Sequence, residues 1–68
     1  METIISIMLY LSLMFSPDSY YESEYDAIYE ANAQTIENIR NDAELYDQIW
    51  ADFGTDAAAI IIEDDQEL

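Results

Sequence analysis

Residues 2–15, ETIISIMLYLSLMF, carry a single charge, Glu2, and their reading decides whether the chain is mainly helical or mixed. As a helix the run is apolar on nearly every side, and a helix of that kind has to be buried. As a strand it scans as well: Ile5, Ile7, Leu9, Leu11, Leu13 and Phe15 alternate with Ile4, Ser6, Met8, Tyr10, Ser12 and Met14, a period of two. Punctuation favours the helix. Gly54 and Pro17 are the only residues of their kinds, too few breakers for the turns of an all-β sandwich. A strand would also need a partner, and the only other β-like run is Ala59 to Ile62, so a sheet would be small or completed across a dimer. The expectation is a mainly α fold, a single small acidic domain over residues 1–68 with three to four helices, assembled as a homodimer. The alternative is an α+β arrangement in which 3–15 is a strand.

The same run is too short to cross a membrane as a helix. Ile4 to Phe15 would reach about 18 Å at 1.5 Å per residue, against a hydrocarbon core of roughly 30 Å. No basic n-region precedes it and no small-x-small cleavage site precedes Asp18, so a secretory signal is not indicated. The segment is expected in the core or in the seam of a homodimer, with Ile5, Leu9, Leu13 and Phe15 as contacts, and the protein in the cytoplasm. A seam is attractive because a 68-residue chain without Cys or His has neither disulfide nor zinc site to supplement a small core.

Downstream, Ser16-Pro17 reads as a helix start, with Ser16 as N-cap, Pro17 at the first helical position and Asp18 near the positive end of the dipole. That helix is expected to run to about Arg40. Tyr21, Tyr25, Ile28, Tyr29, Ile36 and Ile39 would form its inner face, with Tyr20 off that face and free for contact. Asn41 or Asp42 caps a third helix, in which Leu45, Ile49 and Phe53 face inward with Tyr46 and Trp50 beside them, and Gly54 closes it at C′. A last helical turn is expected over Ala57 to Ile62, followed by a frayed acidic tail over 63–68.

The charge is the functional signal. Sixteen Asp and Glu stand against one base, Arg40, for a formal net charge of −15. An ordinary small domain carries a net charge of magnitude about 2 to 8, because self-repulsion opposes compaction. Fifteen of the acids follow Pro17. Asp18, Glu22, Asp26 and Glu30 recur at i, i+4 with Glu37 on the same arc, where like charges oppose an isolated helix by about 0.2–0.5 kcal/mol per pair. A merely solubilising helix would alternate Lys with Glu. A polyanion of this kind resembles duplex DNA, which carries one charge per about 1.7 Å of axis; fifteen charges correspond to roughly 7 to 8 base pairs. One helix is too sparse, so Asp42, Glu44, Asp47 and Asp52 would have to share the surface.

Other chemistry finds little support. Without Lys, His or Cys, acid–base and nucleophilic catalysis lack their usual groups, so no enzyme and no cofactor are expected. The acids of the tail lack the EF-hand spacing with its central Gly, so no specific metal site is expected either. Arg40 is placed to complement the helix C-terminus and to pair with Glu37 or Glu44. Two rival readings are an acidic, antitoxin-like adaptor that recognises its partner through Tyr and Ile, and a generic acidic domain such as a halophile's.

Ile39, Arg40, the acid-rich stretch after them and then Leu45, Asp47 and Ile49 resemble a segment of the phage Ocr anti-restriction family. The likeness covers about eleven residues, and the family is longer, without the apolar N-terminal run found here. That family's helical fold mimics bent duplex DNA. The resemblance implies a phage or mobile-element protein that blocks a basic DNA-binding protein of the host, such as a restriction enzyme, CRISPR effector, nuclease, glycosylase or nucleoid protein, without itself binding nucleic acid.

One consequence follows from charge alone. Raising NaCl from about 10 mM to about 1 M shortens the Debye length from about 30 Å to about 3 Å. The thermal unfolding midpoint is expected to rise by several degrees over that range. A midpoint indifferent to salt would show that repulsion does not limit this fold.

Overall fold

The computed structural model describes residues 2–16 and 18–64. It is mainly helical: α1 (Glu2–Tyr10), α2 (Glu22–Ala31), α3 (Ala33–Arg40) and α4 (Ala43–Ala58), with β1 (Ser19–Tyr21) between α1 and α2 and β2 (Ile61–Glu63) after α4. The apolar N-terminal run is therefore helix as far as Tyr10 and non-helical connection from 11 to 15, and the strand alternative for 3–15 is corrected. Its Met and Leu residues, which are not branched at Cβ, suit a helix, and its partner is α4, against which it packs most extensively, with α3 alongside.

Ile5, Ser6, Ile7 and Met8 are all buried, four consecutive positions that sweep the full circumference of a helix. That is why the run shows no polar face. Around it lie Ile36 and Ile39 from α3, Ile49 and Ala57 from α4, and Met14 and Ile60 from the connections. Leu9, Leu13, Leu45, Tyr46 and Phe53 are partly buried against this core. Tyr46 donates its hydroxyl to Thr3 Oγ1 at 3.2 Å, fastening α4 to the first turn of α1. Of the four proposed core or seam contacts, Ile5, Leu9 and Leu13 serve the chain's own core. Phe15 does not: it is 62% exposed.

α1 stops at Tyr10 because the chain turns left-handed at Ser12, where φ is 63°. The Ser12 amide donates to the Leu9 carbonyl at 3.0 Å and the Leu13 amide to the Met8 carbonyl at 2.8 Å, the two bonds of a Schellman motif. A serine occupies the place that glycine usually takes. The turn sends Met14 back into the core and leads the chain towards β1.

The helix expected from Ser16 does not begin there. Pro17 lies outside the described residues, and Ser19–Tyr21 is a strand, parallel to β2 with Ser19 opposite Ile61, Tyr20 opposite Ile62 and Tyr21 opposite Glu63. The Ile61 amide donates to the Asp18 carbonyl at 3.3 Å. Three consecutive isoleucines, Ile60 to Ile62, and two adjacent tyrosines suit extended backbone, so of the helical turn expected over 57–62 only Ala57 and Ala58 are helical, as the end of α4, while Ile61 and Ile62 are strand. A parallel pair needs a long crossover, here α2, α3 and α4. Glu63 thus belongs to a strand and not to a tail; Asp65, Gln66, Glu67 and Leu68 of that expected tail lie outside the described residues.

α2 starts at Glu22, where Glu24 Oε1 accepts the Tyr21 amide at 2.9 Å, half of a capping box. The long helix expected to reach Arg40 is broken at Asn32. Its backbone sits at φ −126°, ψ 18°, and its side-chain Nδ2 donates to the Ile28 carbonyl at 2.8 Å. Its own carbonyl then accepts the Ile36 amide at 2.9 Å to begin α3. Asp42 caps α4 by accepting the Leu45 amide at 3.3 Å, as expected. Gly54 does not end that helix, which continues to Ala58.

Glycine adopts the left-handed region without the steric penalty that serine meets, about 1–2 kcal/mol for an L-residue. Ser12→Gly is expected to stabilise the fold by about 0.5–1 kcal/mol, after allowing for the extra freedom of the unfolded chain. Urea unfolding checks it, and a destabilised variant would show that the serine side chain holds the turn.

Candidate functional site

Eight of the nine proposed phosphate-mimicking carboxylates are exposed: Asp18, Glu22, Asp26, Glu30, Asp42, Glu44, Asp47 and Asp52. Helical geometry groups them. On α2, Glu22, Asp26 and Glu30 fall within an arc of about 80°. On α4, Glu44, Asp47 and Asp52 span about 140°, centred opposite the side that carries Leu45, Ile49 and Phe53. Asp18 does not extend the α2 stripe, because it precedes β1. Asp42 sits at the start of α4, with one carboxylate oxygen on the Leu45 amide.

Glu37 is different. It is half-buried on α3, and its Oε2 accepts the Tyr29 hydroxyl at 2.6 Å and Arg40 Nη1 at 3.3 Å. The first bond ties α2 to α3 across the break at Asn32. Arg40, the only Lys or Arg of the chain, is thereby paired within α3. The pair is largely solvent-exposed and stabilises little.

α2 packs on α3 and on the two strands, whereas α4 packs on α1 and α3. α3 is thus the element common to both acidic helices. The molecule measures 42 × 24 × 16 Å, and −15 laid along 42 Å is sparser than the duplex value of one charge per about 1.7 Å. The acidic surface is diffuse. Among the described residues no three acids cluster so as to hold a metal ion, and no helix is long and apolar enough to cross a membrane.

The tyrosines exchange roles relative to expectation. Tyr20, proposed as the exposed contact, packs on the core, and its hydroxyl oxygen accepts the Phe15 amide at 3.0 Å. Tyr21, assigned to the inner face, is 51% exposed. Strand geometry explains the exchange: side chains alternate at a period of two, so Tyr20 and Ile62 turn inward while Tyr21 and Ile61 turn outward. Tyr25, Ile28 and Tyr29 are partly buried, consistent with the inner face proposed for them.

Trp50 is the side chain that periodicity misplaced. It lies 43% exposed and is not among the residues packed on the core. It leans instead on Gly54, one turn further along α4. A Cβ built on Gly54 would lie 3.2 to 3.4 Å from Cδ2, Cε2 and Cε3 of the indole, so the ring lies flat over the glycine. The signal was in the sequence, as a Gly four residues after a Trp, but it reads first as a helix stop.

The phenols carry a pH dependence. Tyr29 is held above the usual tyrosine range, first because its hydroxyl donates to Glu37, then by burial and by the charge of Glu37. Tyr25 is raised by burial and then by Asp26. A folded-state pKa above the unfolded value of about 10 means that the stabilisation is complete below about pH 10 and is lost as pH rises beyond it. Tyr29→Phe is expected to lower the unfolding midpoint at pH 8 and to flatten its further fall between about pH 9.5 and pH 11. A variant that keeps the full alkaline fall would remove Tyr29 from this account.

Comparisons with protein-family models, with curated proteins and with solved structures return no match.

Proposed function

We propose that this chain is a non-enzymatic, stoichiometric inhibitor, encoded by a phage or mobile element, that takes the place of DNA in the basic cleft of a host DNA-binding protein in the cytoplasm. The observation that carries the reading is the combination of eight exposed carboxylates with a single base already paired to Glu37. Such a surface attracts Lys- and Arg-lined clefts at long range and repels nucleic acid and other anions. Two acidic segments are exposed, the α2 stripe and the outer side of α4, and together they would form the contact surface. Glu37 leaves the proposed contact set, since its oxygens serve the α2–α3 junction.

The diffuse charge bears on the target. A partner that needs a dense, regular row of phosphates would be met incompletely, whereas one that reads a broad negative field would be met well. Association would be fast at low salt and would weaken steeply as salt rises, because steering depends on unscreened charge.

The tagged chain, used to capture proteins from a bacterial lysate, is expected to release its partner when duplex DNA is added. Two charge-neutralised variants, E22Q/D26N/E30Q on α2 and E44Q/D47N/D52N on α4, are each expected to bind that partner roughly tenfold more weakly with folding intact. Unchanged binding in both variants sinks the mimicry reading. If binding instead collapses on replacing Tyr21 and Ile61 while the amide variants bind normally, the chain is an adaptor that recognises its partner through apolar contacts.

A further inference from the structure

Trp50 is the chain's only tryptophan, and its placement is unlike that of its neighbours on α4. Ile49 is buried and Leu45, Tyr46 and Phe53 pack on the core, whereas Trp50 lies outside that cluster, 43% exposed. One face of the indole is held against the backbone of Gly54, where the missing Cβ makes room for it. The ring borders a groove lined by Trp50, Gly54, Thr55 and Ala58. An indole in this position is a preformed platform: it rests on the glycine on one side and is 43% exposed. The other lining residues, Gly54, Thr55 and Ala58, are small, which leaves room for a planar group beside the ring.

Charge selects the occupant. The face of an indole attracts cations through its quadrupole, and Trp does so more strongly than Tyr or Phe. In this protein the attraction is reinforced by the surrounding field, because the net charge is −15 and the only base is held by Glu37. Asp47, exposed one turn before Trp50 on α4, adds a carboxylate to the approach. A second copy of the chain is a poor occupant, since it would bring another −15 to the same surface. A guanidinium is the best one. It is planar, stacks flat on aromatic rings, and stays charged at every relevant pH, whereas a lysine ammonium is compact and strongly hydrated. Thr55, lining the groove, offers a hydroxyl oxygen that can accept from the guanidinium edge.

We propose that the Trp50 platform is an arginine subsite: the place where one arginine of the basic partner stacks on the indole, within the acidic surface of α4. It gives the interface a directional contact that diffuse charge cannot provide, and so discriminates arginine-lined clefts from lysine-lined ones. The proposal rests on the reading that the partner is basic. It does not depend on which protein that is.

The test uses the whole chain and a defined probe. Uniformly ¹⁵N-labelled protein has one indole N–H signal, which reports Trp50 alone. It is titrated with a hexa-arginine peptide and, at matched ionic strength, with hexa-lysine. The indole signal is expected to move saturably with hexa-arginine and to move less with hexa-lysine. W50M, which keeps apolar bulk but has no ring, is expected to bind labelled hexa-arginine about three- to tenfold more weakly, with an unchanged melting curve. The α2 variant E22Q/D26N/E30Q is expected to bind more weakly overall yet to show the same indole movement at saturation. Hexa-arginine binding that leaves the indole signal still, or W50M binding as tightly as the parent, overturns the subsite. So does an indole signal that shifts with protein concentration alone, which would mean that a second copy covers the ring. Failure of the DNA-competition experiment, with the indole response intact, would remove the mimicry reading and leave the arginine platform standing.

Discussion

The burial of α1 by α4 and α3 is the contact on which the rest of the structure depends. Ile5, Ile7 and Met8 are almost completely shielded from water, and each large side chain fully buried contributes about 1.5–3 kcal/mol. In a 68-residue chain that contribution has to offset both chain entropy and the repulsion of a −15 surface. The arrangement separates the two demands. Apolar residues are concentrated in the first quarter of the chain, and the later helices wrap that segment with their apolar sides while their acids face outward.

α2 shows how the acidic surface is held up. It contains no buried residue, and its i, i+4 acids oppose the helix locally. What stabilises it comes from outside: Glu24 on the Tyr21 amide at its start, Tyr25, Ile28 and Tyr29 resting on the core, and Tyr29 bonded to Glu37 at the junction with α3. The helix with the densest acidic stripe is therefore the one that relies most on its neighbours. α4 is anchored along its whole length and presents its acids and Trp50 from a firmer base.

How much of this was legible depended on whether a residue's role was local. The Asp42 cap, the inward spacing of Leu45, Ile49 and Phe53, the inward Tyr25, Ile28 and Tyr29, and the Arg40–Glu37 pair all follow from interactions within about a turn or two of helix, and each is found. The β1–β2 pair was not legible, because Ser19–Tyr21 becomes a strand only by meeting Ile61–Glu63, forty residues away. That one long-range pairing moved the start of α2 and exchanged Tyr20 with Tyr21. The break at Asn32 had a local cause, a side-chain amide competing for the Ile28 carbonyl, but Asn is tolerated inside many helices. Ser12 in a glycine's position gave no compositional warning at all.

By itself the sequence determined the sign and size of the charge, the helical character of most of the chain, and the need to bury residues 4–9 on all sides. These are properties of composition and short-range spacing, and they survive any arrangement of the helices. Only the tertiary structure decided which acids are exposed and which aromatic side chains lie at the surface. Glu37 was withdrawn by Tyr29 and Arg40, Tyr20 by Phe15, and Trp50 was released from the core onto Gly54. The physical reason is the same in each case: exposure is set by which element lies opposite, and no periodicity within one segment specifies its neighbour.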